Sequence, residues 1–201
     1  ENRPLFDYDR SAPLDIREVV TERSSGVNSI DLTYASPKGG RVPATLFAPD
    51  GDGPFPGLVL MHGLPSDRTE MAGYAMAFAQ LDAVVITIDA HFARPENAGR
   101  GTLVYTEQDR DEQIQLIVDL RRAIDVLVSR PEVDPERMAY VGVSYGGAMG
   151  GLLAGVEDRL RTFVLQVGDG GLVTHIARTG NQGDYFYTGL SDAGRKAWLE
   201  A

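Results

Sequence analysis

A serine between two glycines, Gly142-Val143-Ser144-Tyr145-Gly146, is the stretch whose residue types and spacing most directly imply chemistry. It follows the apolar run Met138-Ala139-Tyr140-Val141 and precedes a run of small residues, Gly147 to Gly155. Strand, sharp turn and helix in that order make a serine hydroxyl a nucleophile. The turn strains the serine backbone, at a cost of about 1–3 kcal/mol, and lifts Oγ clear of the sheet toward a substrate carbonyl. The residues two before and two after must be tiny to fit so tight a turn, and Gly142 and Gly146 are. The helix beginning there points free N–H groups and its positive dipole end at the place where negative charge would develop. The bare pattern arises by chance roughly 0.1 times in a chain of this composition, so its context carries the reading. The alternative is an ordinary glycine-rich turn.

The elements that must position this serine are legible on either side of it. Residues 1–26 are polar and read as an irregular arm over the surface. Val27 to Tyr34 and Arg41 to Ala48 read as two strands joined by the turn cluster Ser36-Pro37-Lys38-Gly39-Gly40. Leu58-Val59-Leu60-Met61 is a short, fully apolar strand, as expected of a parallel strand buried on both faces. From Asp67 to Leu81 the period becomes helical, with Met71, Tyr74, Ala75, Phe78 and Ala79 on one face, and Asp67 with Glu70 reads as a capping box. Ala83 to Ile88 is the next buried strand and residues 89–106 a long loop. Ile117, Leu120, Ile124, Leu127 and Val128 give a second helix its buried face, and the acidic run Glu107 to Glu112 reads as its solvated start. The segment Pro131-Glu132-Val133-Asp134-Pro135-Glu136-Arg137 ends that helix and feeds the strand into Ser144. Thr162 to Val167 is one more strand. Strands alternating with helices from residue 56 onward predict a parallel sheet covered on both faces.

Composition narrows the function classes. The 201 residues suit one domain, with 43% apolar and 24% charged residues, as in ordinary soluble proteins. A net charge of -10 repels phosphate backbones and anionic lipid, so neither nucleic acid nor membrane is an expected partner. No cysteine is present, which removes disulfides, thiolate metal sites and a cysteine nucleophile. His62, His91 and His175 lack close metal-binding spacing, so no metal or cofactor is expected. Gly-x-Ser-x-Gly without a following Lys is not a phosphate loop. The chain begins at Glu1 without a charged-then-apolar leader, which leaves cytoplasmic and exported, signal-cleaved forms both open.

With these residues in place, the chain resembles the α/β-hydrolases, in particular the dienelactone-hydrolase-like and prolyl-oligopeptidase-like branches. The Pro-x-Val-Asp-Pro segment leading into Gly-x-Ser-x-Gly-Gly carries the resemblance, together with Met61-His62-Gly63-Leu64-Pro65 and Asp89-Ala90-His91 after the two preceding strands. It implies an α/β-hydrolase fold, a mostly parallel twisted sheet with helices on both faces. It implies Ser144 as nucleophile, with the backbone N–H groups of Tyr145 and Leu64 as the oxyanion hole. His62 would shape the oxyanion loop by a hydrogen bond, a proton-transfer role being the alternative. His62 and His91 are the candidate substrate-binding side chains. Phe92 and Arg94 are further pocket candidates, with Arg94 favouring an anionic substrate, against a solvent-facing loop.

The same resemblance places the triad acid and His after later strands than this chain reaches. His175 is the sole histidine after Ser144 and stands early for that role; Asp169, at the end of the Thr162 strand, is either a triad acid or the start of a Gly170-Gly171 turn. Ser191-Asp192 reads as a helix N-cap, and 193–201 as a helix that stops without a terminator. The expectation is one domain, C-terminally incomplete, lacking the last two strands: an arm over 1–26, sheet and helices over 27–167, and the start of a cap or lid over 168–201. Tyr185, Phe186, Tyr187 and Trp198 are the candidate cap aromatics. The expected activity is hydrolysis of a small-molecule carboxylic ester through an acyl-enzyme, the 201-residue chain by itself lacking the triad Asp and His and needing a second chain or fragment to supply them. The alternatives are a prolyl-oligopeptidase-like serine peptidase and a non-catalytic binding fragment.

Overall fold

Short runs of β-branched and aliphatic residues build one sheet. The computed structural model describes residues 3–97 and 107–168. Its strands are β1 (Arg17–Ser24), β2 (Val27–Ala35), β3 (Arg41–Pro49), β4 (Phe55–Met61), β5 (Val84–Ile88), β6 (Val133–Val143) and β7 (Thr162–Gln166). The helices are α1 (Ala72–Ala79), α2 (Glu107–Val128) and α3 (Tyr145–Ala154). The spatial order is β1-β2-β3-β5-β4-β6-β7. β1, β2, β3 and β5 pair antiparallel in succession, whereas β4 pairs parallel with both β5 and β6, and β6 with β7. β2 therefore runs with β4 to β7, so that only β1 and β3 oppose the common direction.

Alternation decides the faces. Ile30, Leu32 and Tyr34 of β2 with Val42, Ala44 and Leu46 of β3 pack on the side that carries α2 and α3. Val27, Phe47, Leu58, Leu60 and Val85 pack on the opposite side beneath Met71, Ala75 and Ala79 of the α1 region. β4 and β5 are buried on both faces along their apolar residues, which is why they read as unbroken apolar runs.

Several elements differ from the sequence expectation for physical reasons. Arg17–Ser24, expected within an irregular arm, is an edge strand paired with β2. All eight of its residues are exposed, so no alternation of burial marked it. The arm's remaining part is fastened, not loose. Arg121 donates to the Phe6 carbonyl at 2.6 Å, and Arg122 donates to the carbonyls of Arg10 and Ala12. β6 begins at Val133, earlier than the apolar run, and residues 135–137 bulge out between the pairs Pro56↔Asp134 and Gly57↔Met138. A bulge is where a strand tolerates a residue like Pro135, which has no N–H to give. The Asp67 start is a 3-10 turn over Arg68–Met71 before α1, with the Asp67 side chain accepting from Thr69 N–H. Tyr74 (53% exposed) and Val128 (40% exposed) fall off the buried faces assigned to them. Asp109, in the acidic start expected to be solvated, is buried.

The candidate residues Asp169 and His175, the aromatics Tyr185, Phe186, Tyr187 and Trp198, the N-cap Ser191-Asp192 and the helix over 193–201 lie outside the described residues.

Candidate active site

The carboxyl ends of β4, β5 and β6 bring three chain segments together. α1, after β4, covers one face, and α3, after β6, covers the other. The ends of β4 and β6 thus flank the switch point at which open α/β sheets bind their ligands.

Ser144 stands at the end of β6 as the N-cap of α3, with φ 51° and ψ −112°. A side chain at positive φ outside glycine is uncommon and costs about 1–3 kcal/mol, so its neighbours must hold it there. Its N–H donates to the Gln166 carbonyl on β7 at 2.8 Å, and its carbonyl accepts from Ala148 N–H at 3.0 Å. From within β6, Tyr140 Oη donates to the Gly146 carbonyl at 2.6 Å. A Cβ on Gly142 would overlap the Gly146 carbonyl across the turn, as the sequence reading required. A Cβ on Gly146 meets a different obstacle, the Met61 and His62 carbonyls of the neighbouring strand end. The Ser144 side chain is exposed, and among the described residues its Oγ has no hydrogen-bond partner.

At the end of β4, His62 is fully buried. Its Nε2 accepts the Ala90 N–H at 3.1 Å, so Nδ1 carries the proton and donates to the Gly63 carbonyl at 2.8 Å. Burial lowers the His62 pKa from its ordinary value, opposed by the Gly63 carbonyl and by the charge of Asp89. Both nitrogens are bonded to backbone, so the ring fixes the shape of this loop. Gly63 runs close beside Ser144; a Cβ added there would lie 3.2 Å from Ser144 Cβ. Glu70 Oε2 accepts the Gly63 N–H at 2.9 Å. The sequence assigned Glu70 to a reciprocal helix cap, but its carboxylate holds this loop instead. Gly146 N–H donates to the His62 carbonyl at 3.1 Å and joins the two strand ends. Among the described residues, the N–H groups of Leu64 and Tyr145 have no acceptor.

At the end of β5, Asp89 accepts the Arg68 N–H at 2.8 Å and its guanidinium at 2.7 Å. Burial pushes the Asp89 carboxyl up, and Arg68 pulls against it. His91 is nearly buried, with Nε2 3.1 Å from an Arg94 nitrogen and its carbonyl accepting from Asn97. Arg94 is 2% exposed and bonds Asp119 Oδ2 at 2.6 Å. It is neither a solvent-facing loop residue nor a free cation for an anionic substrate, because its charge is already matched inside the protein. The sequence reading missed Asp119. The available signal was its place beside Leu116 and Leu120 on the buried side of α2, which it shares with the charged Arg121 and Arg122 nearby. Phe92, expected among pocket residues, packs edge-on against both His62 and Tyr145.

A strained serine between a parallel strand and a helix, beside a histidine-glycine loop from the adjacent strand, is the arrangement of the α/β-hydrolase fold. Residues 9–168 match the model of the acetyl xylan esterase (AXE1) family, and the chain belongs to that family. Among solved structures it is similar to acetyl xylan esterase 1 from Thermoanaerobacterium sp. JW/SL YS485. That likeness has a TM-score of 0.71 and 20% identity, over 99% of this chain and 72% of that one. It is also similar to an acetyl xylan esterase from Paenibacillus sp. R4, with TM-score 0.63 and 21% identity, over 81% of this chain and 55% of that one. Acyl-coenzyme A thioesterase 3 of Mus musculus is 29% identical over 126 residues, which are 63% of this chain and 26% of the thioesterase. The chain thus spans about a quarter of that curated relative and 55% of the Paenibacillus chain.

Proposed function

We propose that this chain carries the nucleophile and the oxyanion hole of a serine esterase that hydrolyses small carboxylic esters. The observation that carries the reading is the exposed Ser144 at positive φ, heading α3 beside two backbone N–H groups that lack acceptors among the described residues. Ser144 Oγ attacks the ester carbonyl carbon while a base from outside the described residues takes its proton. The carbonyl oxygen becomes an oxyanion that accepts from the N–H groups of Leu64 and Tyr145. Each such donor in a dry site contributes about 2.7–4 kcal/mol to the transition state. The C–O bond then breaks, the alcohol leaves with the returned proton, and water hydrolyses the acyl-Ser144 to a carboxylic acid. Acetyl esters of a carbohydrate are the first substrates to test, because the family model and the solved acetyl xylan esterases point to them. Thioesters are the second reading, favoured by the similarity to the mouse thioesterase.

The test uses the full-length protein with acetylated xylo-oligosaccharide, an activated acetyl ester and an acyl-coenzyme A. Ser144→Ala should lower turnover roughly 10³–10⁶-fold with the fold intact, and a fluorophosphonate should label the native protein at Ser144 alone. Undiminished ester hydrolysis by Ser144→Ala would remove the assignment. Preference for the oxygen ester or for the thioester separates the two readings.

A further inference from the structure

The turn after β5 touches both halves of the proposed oxyanion hole. Arg94 gathers that turn: its Nε donates to the Asp89 carbonyl at 3.3 Å, one terminal nitrogen lies 3.1 Å from His91 Nε2, and the other bonds Asp119 of α2. A guanidinium has no acceptor to offer, so His91 Nε2 accepts here. Asp119 is in turn fixed by Ser36 Oγ at 2.5 Å, and its backbone carbonyl by Tyr34 Oη at 2.8 Å. The turn is therefore anchored to α2 and to the β2–β3 connection by a buried ion pair.

The residue it carries forward is Phe92. The Phe92 and His62 ring centroids are 5.6 Å apart at 85°, and those of Phe92 and Tyr145 are 5.5 Å apart at 71°. Both are edge-to-face contacts with directional preference. His62 opens the loop that contains Leu64, and Tyr145 supplies the other N–H. The same turn clasps that loop at two more points, through Ala90 N–H on His62 Nε2 and the Asp89 carboxylate on Arg68. The two donors sit on separate chain segments, and an oxyanion profits from both only when they are held at hydrogen-bonding distance from one point.

We infer that Phe92, wedged between His62 and Tyr145 and anchored through Arg94–Asp119, is a positioning residue that sets the spacing of the Leu64 and Tyr145 N–H groups. The inference rests on the serine-esterase reading above. It differs from a role for Phe92 as a wall of the acyl pocket, which would act on substrate binding.

Phe92 is only half-buried, so it can be replaced with less risk to the fold than Arg94 or Asp119. In the full-length protein, Phe92→Ala, Phe92→Leu and Phe92→Tyr would be compared for kcat, for KM on an acetyl ester, and for Ki of a trifluoromethyl ketone. That ketone adds to Ser144 and places an oxyanion in the hole. Phe92→Ala should lower kcat roughly 10-fold or more with KM changed less than about threefold, and Ki should rise by the factor that kcat/KM falls. Phe92→Tyr keeps the ring edge and should recover most of the activity. Phe92→Leu fills space without a ring, should fall between them, and serves if the alanine variant does not fold. Wild-type kcat and Ki in the folded Ala or Leu variant, or a change confined to KM, overturns the inference alone. A Ser144→Ala control that still hydrolyses the ester overturns the esterase reading and this inference with it.

Discussion

At the scale of single residues, the site is a competition for backbone N–H groups. Gly63 N–H is taken by Glu70 and Gly146 N–H by the His62 carbonyl, which leaves those of Leu64 and Tyr145. On the proposed reading Leu64 acts through its backbone, and its side chain is secondary. Leu64→Met keeps the N–H and should leave kcat within about threefold of wild type. Leu64→Pro removes the donor and should lower kcat roughly 10²–10³-fold, the scale of one lost oxyanion contact. Steady-state kinetics on an activated acetyl ester, with circular dichroism to verify folding, measures both; a folded, fully active Leu64→Pro would exclude Leu64 as a donor. The serine and the histidine-glycine loop were legible in the sequence because they are contiguous motifs. The partners of Glu70 and Arg94 were not legible, because Gly63 lies seven residues before the one and Asp119 25 residues after the other, and only the fold brings each pair together.

At the scale of elements, glycine has opposite meanings in two helices. Gly150 of α3 faces the sheet; a Cβ there would lie 2.5 Å from Leu165 Cδ2 and also overlap the Tyr140 ring. Close helix-to-sheet approach is what offsets the low helix propensity of this glycine-rich segment. Gly73 of α1 has nothing within 4 Å of an added Cβ, so there glycine only loosens the helix. Gly150→Ala should destabilise by about 1–3 kcal/mol through overpacking, whereas Gly73→Ala should stabilise by up to about 1 kcal/mol. Urea-unfolding midpoints of the two variants decide this, and shifts of the same sign would contradict the account. Helix propensity alone gives both glycines the same reading; the run of small residues after Ser144 suggests close approach to the sheet for Gly150, and the structure shows the atoms it meets.

At the scale of the molecule, the buried Arg121 and the half-buried Arg159 join the N-terminal segment, α2 and the connection from α3 to β7. Glu157 accepts from Arg121 at 3.2 Å and from Arg159 at 2.7 Å, and Asp125 accepts from Arg159 at 2.6 Å and from Tyr8 at 2.8 Å. Burial by itself would push the Glu157 carboxyl up, but hydrogen bonds from Arg159 and its charge, with Arg121, bring it down to about 2. The unfolded chain, with an ordinary carboxylate value near 4.5, binds this proton more readily than the folded one. Stability from Glu157 is therefore complete above about pH 5 and is lost as pH falls from there through about 2, by an amount of roughly 2–4 kcal/mol. Thermal unfolding followed from pH 6 to pH 2 should show this loss, and Glu157→Gln should flatten that part of the profile. An unchanged profile in the variant would show that other carboxylates carry the acid sensitivity. No helix among the described residues is long and apolar enough to cross a membrane.

What the sequence determined by itself was whatever is written locally. The apolar runs of β4 and β5, the alternation in β3, and the glycines around Ser144 each follow from steric and solvent rules acting over a few residues, and they were enough to expect a mostly parallel sheet with a serine at a strand end; the α/β-hydrolase expectation came from the resemblance its motifs carry. β1 escaped because an edge strand exposed along its whole length has no burial pattern to write into its residues. The tertiary structure decided which charges meet and which donors stay free. From the sequence Arg94 is either a pocket cation or a solvent-facing loop residue; the fold buries it and matches its charge with Asp119, 25 residues away in the chain. His62 is expected from the sequence to shape its loop by a hydrogen bond, and only the fold shows that Gly63 and Ala90 are the partners of its two nitrogens. In a buried site the role of a polar group is set by the partner that satisfies it, and that partner is chosen by the fold.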